Sequence, residues 1–250
     1  MNPSTAASPE IIRAFAPAGR LRAALNLGNS VLVNKDAATG QPFGVSVDLA
    51  RALAEQLGLA LELQSFDTAS QSVQALEQER VDIGFFAIDP ARGADIAFTA
   101  AYVLIEGCYL VRQDSSLTAN EQVDQPTNHV SVGKGSAYDL FLSRHLKQAQ
   151  ILRFADAPAV MEAFLDQGLE VAAGIKQQMQ AQAQSRPGLR LLPGRFMQIQ
   201  QAMGLAKSRG PQAAAFLRAF VEVKKSEGFV AQALARHGIE GAEVAPVASV

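Results

Sequence analysis

The chain has 250 residues, room for one large domain or for two lobes of about 100–120 residues each. Hydrophobic residues make up 48% and charged residues 18%, which supports an ordinary packed core and argues against disorder. The net charge of -2 argues against a nucleic-acid partner, which needs a basic face, and the absence of Trp weakens any aromatic cage or base-stacking platform.

Residues 1–20 are rich in Ala, Pro and Ser and read as an N-terminal arm with a short helix at 9–15. Leu21–Asn26 reads as a strand, and Thr39-Gly40-Gln41-Pro42 is turn chemistry. Leu49, Leu53 and Leu57 recur every fourth residue, which predicts an amphipathic helix from Val47 to a C-cap at Gly58. A strand over 59–66 follows. Thr68 and Gln71 have the spacing of a capping box and open a helix through Glu79, and 81–87 reads as a buried strand. This is a β-α-β-α-β unit with short connections, so it predicts a parallel sheet covered by helices.

The unit repeats in kind. Strands are predicted at 130–133, 151–154, 170–175 and 189–192, with helices at 137–146, 159–167 and 177–184. Strand-like segments at 102–112 and 197–207 join the two units as crossovers. Two helices, at 211–227 and 229–237 with Gly228 between them, carry an apolar stripe that predicts packing back on the first lobe. The predicted organisation is an arm at 1–20, a first lobe of 21–108 with 197–250, and a second lobe of 109–196.

Cys108 lies in an apolar strand-like run and reads as a small buried hydrophobe. His129, His145 and His237 fall in no recognisable catalytic motif, and one thiol leaves the redox compartment open. No run approaches the ~20 apolar residues of a membrane span. The N-terminus has neither the basic start nor the apolar stretch of a signal peptide, so a processed periplasmic protein and a cytoplasmic one both stay open.

In open parallel sheets, ligands collect at the carboxyl ends of strands, near helix N-termini. Three places qualify. Arg92 follows the strand ending at Ala87 and could grip a carboxylate through two parallel hydrogen bonds, or be a solvated surface residue. Gly133-Lys134-Gly135-Ser136-Ala137 lies between a strand and a helix, where glycines admit close backbone approach, or is an ordinary tight turn. It is not a phosphate-binding P-loop, because its Lys precedes the second glycine. Lys176 closes the strand 170–175 and opens a helix; it faces either a cleft or solvent.

Four stretches carry a resemblance in their order and spacing: GQPFGVSVDLARALAEQLGLALEL, VDIGFFAIDPARGADIAFTAAY, VSVGKGSAYDLFL and AAAFLRAFVEVKKSEGFVAQALARHGI. Over roughly residues 20–240 the chain resembles the family-3 extracellular solute-binding proteins of ABC importers, the amino-acid-binding type. The resemblance implies a type II periplasmic-binding-protein-like α/β fold: two lobes with mostly parallel sheets, flanked by helices and hinged on two crossover strands. It implies that Arg92 holds a carboxylate, that Gly135, Ser136 and Ala137 complete the anion end, and that Phe85, Phe86 and Ala87 line the first-lobe wall. Asn29, in the loop 26–30, and Ser70, in the turn 68–70, are the other first-lobe contacts it implies.

One departure from the family pattern changes the expected ligand. Lys176 stands where amino-acid binders carry an Asp for the α-ammonium, and a cation there would repel an ammonium. Arg92 and Lys176 together therefore favour an organic anion. The expected protein is no enzyme: a monomer without cofactor or metal that closes on its solute and delivers it to a membrane permease. Two alternatives remain. One is a cyclohexadienyl dehydratase-like enzyme, with Glu170 or Asp89 nominated as its acid. The other is a cytoplasmic solute sensor or buffer; about 20 residues precede the first strand, too few for a helix-turn-helix domain.

Overall fold

A computed structural model describes residues 7–248. The first six residues of the predicted arm and the last two of the chain lie outside the described residues. The chain divides into two compact units, one comprising residues up to Val103 together with those from Gln200 onward, the other Leu104–Ile199.

The first unit begins with helix α1 (Pro9–Phe15), which Ser8 caps by accepting a hydrogen bond from the Ile11 amide at 3.3 Å. Strand β1 (Leu21–Asn26) is followed by a small hairpin, β2 (Asn34–Lys35) and β3 (Pro42–Phe43). Helix α2 (Val45–Leu57) buries its Leu49, Leu53 and Leu57 stripe and ends at Gly58, whose φ of 65° is a left-handed cap that glycine adopts without strain. After β4 (Leu61–Phe66) comes α3 (Ala69–Glu77), and the predicted capping box is present. The Thr68 hydroxyl accepts from the Gln71 amide, and the Gln71 side chain accepts from the Thr68 amide, each at 3.3 Å. Strand β5 (Ile83–Ala87) is buried throughout and leads through a 3-10 turn at Arg92–Ala94 into β6 (Ile96–Arg112).

Strand β6 continues from the first unit into the second, which then adds β7 (His129–Gly133), α4 (Ala137–His145), β8 (Gln150–Phe154), α5 (Ala157–Asp166), β9 (Val171–Ile175), α6 (Lys176–Ser185) and β10 (Leu189–Leu191). Strand β11 (Met197–Ala206) carries the chain back, and α7 (Pro211–Ser226), α8 (Phe229–Arg236) and β12 (Glu243–Val244) complete the first unit. The two C-terminal helices pack on it as predicted: α7 against α1, with Phe15 edge-on to Phe216 at 5.8 Å, and α8 against α2.

In the first unit β1 pairs in parallel with β4 and β5, and β11 returns antiparallel to β5. In the second, β7 pairs in parallel with β8 and β9, and β6 runs antiparallel to β9 and β10. The mostly parallel, helix-covered α/β class is the predicted one. The first crossover differs in extent: β6 starts at Ile96, not near 102, because Phe98, Thr99 and Ala100 continue the strand, with the Thr99 hydroxyl accepting from the Met203 amide on β11 at 3.1 Å.

Each unit has its own core. Ala24, Ala75, Leu76, Val81, Phe86 and Ile96 form one cluster in the first unit. Val160, Met161, Phe164, Leu169, Ala172 and Met179 form one in the second.

Candidate functional site

In the first unit three of the nominated residues, Phe86, Ala87 and Arg92, lie where β5 ends. Arg92 is only 7% exposed, and its Nη1 donates to the Ala87 carbonyl at 3.2 Å, so the turn folds the guanidinium back over the strand end. Asp89 shapes that turn, accepting from the Ala91 amide through its carboxylate and from the Gly93 amide through its carbonyl, both at 2.9 Å. Burial lowers the pKa of Arg92, and the charge of Asp89 opposes that shift. An arginine held this way keeps its charge and is preorganised for a planar anion.

Phe86 needs correction. It is buried in the hydrophobic cluster with Leu76 and Ile96, and its ring fills the space above Gly84, where an added Cβ would come within 2.2 Å of Phe86 Cζ. It is a core residue, not a wall offered to a solute. Its neighbour Phe85 packs edge-on to Tyr102 at 6.1 Å. Asn29 is 6% exposed, and among the described residues its Oδ1 has no hydrogen-bond partner, a condition that costs about 1–3 kcal/mol for a buried polar atom. Ser70 is exposed in the first turn of α3.

The loop between β7 and α4 is more occupied than its sequence implies. Gly135 has φ 69°, which favours glycine, and its amide donates to Asp139 Oδ2 at 2.8 Å. The Ser136 hydroxyl accepts from the Asp139 amide at 3.1 Å as the N-cap, and Ala137 is the first helical residue. The carboxylate of Asp139, in a residue 4% exposed, therefore already sits at this helix N-terminus, where Arg153 Nε reaches it at 2.9 Å. The Gly135 amide is committed to this cap, so its role as an anion donor is not visible in this arrangement. The Ser136-x-x-Asp139 spacing is a capping signature that was readable in the sequence.

Lys176 begins α6, and it has a partner that sequence reasoning missed. Its Nζ donates to Glu106 Oε2 at 2.5 Å, and Arg195 Nη1 donates to Glu106 Oε1 at 2.9 Å. Hydrogen bonding from Lys176 is the main cause that holds the Glu106 carboxyl below its ordinary range, and the same bond raises Lys176. Glu106 is the one charged residue in the apolar run from Ile96 to Val111, which is the signal that could have found it. Beside it Cys108 is buried, its Sγ contacting the Gly194 carbonyl at 3.2 Å; burial pushes the thiol pKa up to about 11, so it stays protonated.

Of the two nominated acids, Asp89 serves the turn described above. Glu170 accepts from the His129 amide at 2.8 Å and stands 2.9 Å from its Nδ1. Partial burial pushes the Glu170 carboxyl up, but the bonds from His129 outweigh it and hold the pKa below the ordinary range, the wrong direction for a proton donor at neutral pH. Among the described residues no group of His, Cys, Asp and Glu could hold a metal ion, and no helix is long and apolar enough to cross a membrane. A cavity of about 300 Å³ in the first unit, lined by Glu10, Arg209 and Gln212 among others, includes none of the nominated residues.

This helix-covered α/β fold, with a buried arginine at the end of β5, is the setting in which the sequence match falls. The sequence matches bacterial extracellular solute-binding proteins, family 3, over residues 31–237, and the chain belongs to that family. No curated protein matches it significantly.

Solved structures share the fold. The solute receptor for L-cysteine of Neisseria gonorrhoeae superposes with a TM-score of 0.77 at 19% identity, covering 92% of this chain and 95% of that one. An amino acid ABC transporter substrate-binding protein from Streptococcus pneumoniae, bound to L-arginine, gives 0.76 at 16% identity, covering 91% and 99%. An ancestral amino acid-binding protein, a precursor of cyclohexadienyl dehydratase, gives 0.75 at 19% identity, covering 92% and 99%. At these identities the likeness establishes the fold, while ligand choice rests on side chains.

Proposed function

We propose that this chain captures a small carboxylate-bearing solute of the amino-acid class and delivers it to an ABC permease outside the cytoplasm. The observation that carries the reading is Arg92, a buried guanidinium pinned to the Ala87 carbonyl at the end of β5. Placing a fixed cation there costs desolvation, and a bound carboxylate offsets that cost through two charge-assisted hydrogen bonds. Family membership supports the transport role, and the ligands of the cysteine receptor and the arginine-bound protein support the solute class.

The organic anion expected from the sequence gives way to this broader class for a physical reason. The case against an amino acid rested on an unopposed cation at Lys176, but Lys176 carries the carboxylate of Glu106. Glu106, which it shares with Arg195, offsets part of that charge, so repulsion of an ammonium is weaker than an unopposed cation would give. Ala87, Asn29, Ser70 and the Gly135–Ala137 turn complete the contacts we assign to the solute. For the Gly135 amide this requires its bond to Asp139 to loosen, whereas the Ser136 hydroxyl accepts in the cap and keeps its proton to donate.

Thermal-shift screening against amino acids and organic acids, followed by calorimetry, tests the reading. One or more amino acids should stabilise the protein, and Arg92→Met should weaken that solute by about 30-fold or more while the fold is retained. Stabilisation by compounds without a carboxylate, or unchanged affinity in the variant, would overturn it. Incubation with prephenate separates the dehydratase alternative, which requires phenylpyruvate to appear.

A further inference from the structure

Within the second unit, three charged side chains from distant parts of the chain meet on a rigid frame. Glu106 lies on β6 next to Gly107, which pairs with Ile175 on β9, so the ladder itself sets Glu106 beside Lys176. Arg195 comes from the loop between β10 and β11. That loop is tied to β6 by the Leu192 amide donating to the Tyr109 carbonyl at 2.9 Å and by the Phe196 amide donating to the Gly107 carbonyl at 3.0 Å. The Phe196 ring stacks on Tyr109 with centroids 4.3 Å apart, and the Cys108 thiol meets the Gly194 carbonyl between the two ties.

The cluster is not self-neutralising. Two cations against one carboxylate leave one net positive charge. Both Glu106 oxygens are engaged, which suits the residue to anchoring the cations more than to receiving an ammonium. The Glu106 side chain is 25% exposed, whereas Lys176 is 33% and Arg195 47% exposed, so the cations stand further out than the acid. Among the described residues Glu106 is the acceptor each cation reaches. Most of their N–H groups, three on an ammonium and five on a guanidinium, are left for another acceptor.

We infer that Lys176 and Arg195, aligned by Glu106, form a specificity subsite for an acidic side chain, so that the preferred solute is an acidic amino acid. The inference rests on the amino-acid reading above and narrows it. Glu106 acts as a positioning residue: it fixes the long, flexible cations before the solute arrives, so less side-chain entropy is lost on binding.

Calorimetry with matched pairs tests it: L-aspartate against L-asparagine, and L-glutamate against L-glutamine, with the wild-type protein and with Lys176→Met, Lys176→Arg and Arg195→Gln. The wild type should prefer an acid over its amide by about tenfold or more, the scale of one charge-assisted hydrogen bond. Lys176→Met should remove most of that preference, lowering affinity for the acid by more than affinity for the amide. Lys176→Arg should retain it, and Arg195→Gln should reduce it by less. Far-UV circular dichroism verifies that each variant is folded.

Equal affinity for acid and amide, or a preference unmoved by Lys176→Met, overturns the inference. Binding of L-arginine, L-lysine or L-cysteine in place of the acids overturns it too, while the amino-acid reading stands. Succinate or glutarate binding as tightly as the amino acids, with that binding lost in Lys176→Met, keeps the acidic subsite and removes the amino-acid reading. Failure of every one of these probes to bind overturns both.

Discussion

Each unit contains a carboxylate gripped by two cations, and the contrast between them separates a structural charge from a functional one. In the first unit Asp82 has a side chain with no exposure. It accepts from the Arg22 amide at 2.9 Å, from Arg22 Nε and Nη2 at 3.0 and 2.8 Å, and from Arg209 Nη2 at 3.2 Å. Burial removes water as a competitor, and the saturated carboxylate ties β1, the bend leading into β5 and the turn before α7 into one piece. Glu79 also meets Arg209 there at 3.3 Å, so that cluster holds two acids, whereas in the second unit Glu106 faces two cations and keeps a quarter of its side chain in solvent. An acid between two cations thus fixes a fold in one place and presents donors in the other, and burial together with charge balance divides them.

The largest effect expected from breaking this comparison is on Asp82. Replacing it with Ala leaves Arg22 and Arg209 without their buried partner and should cost about 3–5 kcal/mol, read as a lower urea midpoint. A loss below about 1 kcal/mol would show that the two clusters are energetically alike.

Lys176→Met sharpens the contrast from the other side. Its stability should stay within about 1 kcal/mol of wild type, because the ion pair is partly exposed, even as the acid-over-amide preference disappears. Comparing the urea midpoint with the calorimetric ratio on the same preparation checks it.

The smallest effect is in pH dependence. The folded-state pKa of Glu106 is depressed, so its contribution is present above the ordinary carboxylate pKa and fades as pH falls through the lowered value. That of Lys176 is raised, so its contribution is present below the ordinary lysine pKa and fades as pH rises through the raised value. Because both groups keep contact with solvent, Glu106→Gln should flatten the acid and alkaline edges of the stability profile only slightly, and leave the plateau between them within about 1 kcal/mol of wild type. A collapse of the plateau would make Glu106 a structural residue like Asp82.

Local signals made most of the fold legible. The Leu49–Leu53–Leu57 period, the left-handed Gly58 and the Thr68 capping box each depend on neighbours within a few residues, and each is present as read. The candidate site was legible only in part. A strand buried on both faces shows no alternation, so nothing in Phe85-Phe86-Ala87 revealed that Phe86 faces the core. The Glu106–Lys176 contact spans 70 residues of sequence, and the Glu106–Arg195 contact 89. A lone acid in an apolar strand signals that some partner exists, but only the strand register names it.

Arg92 remains the centre of the account, and native mass spectrometry of gently purified protein tests it most directly. The account predicts one small molecule bound per chain, with the mass of an amino acid carrying a free carboxylate, and its loss from Arg92→Met. A bound compound without a carboxylate, or one retained unchanged by that variant, would contradict it.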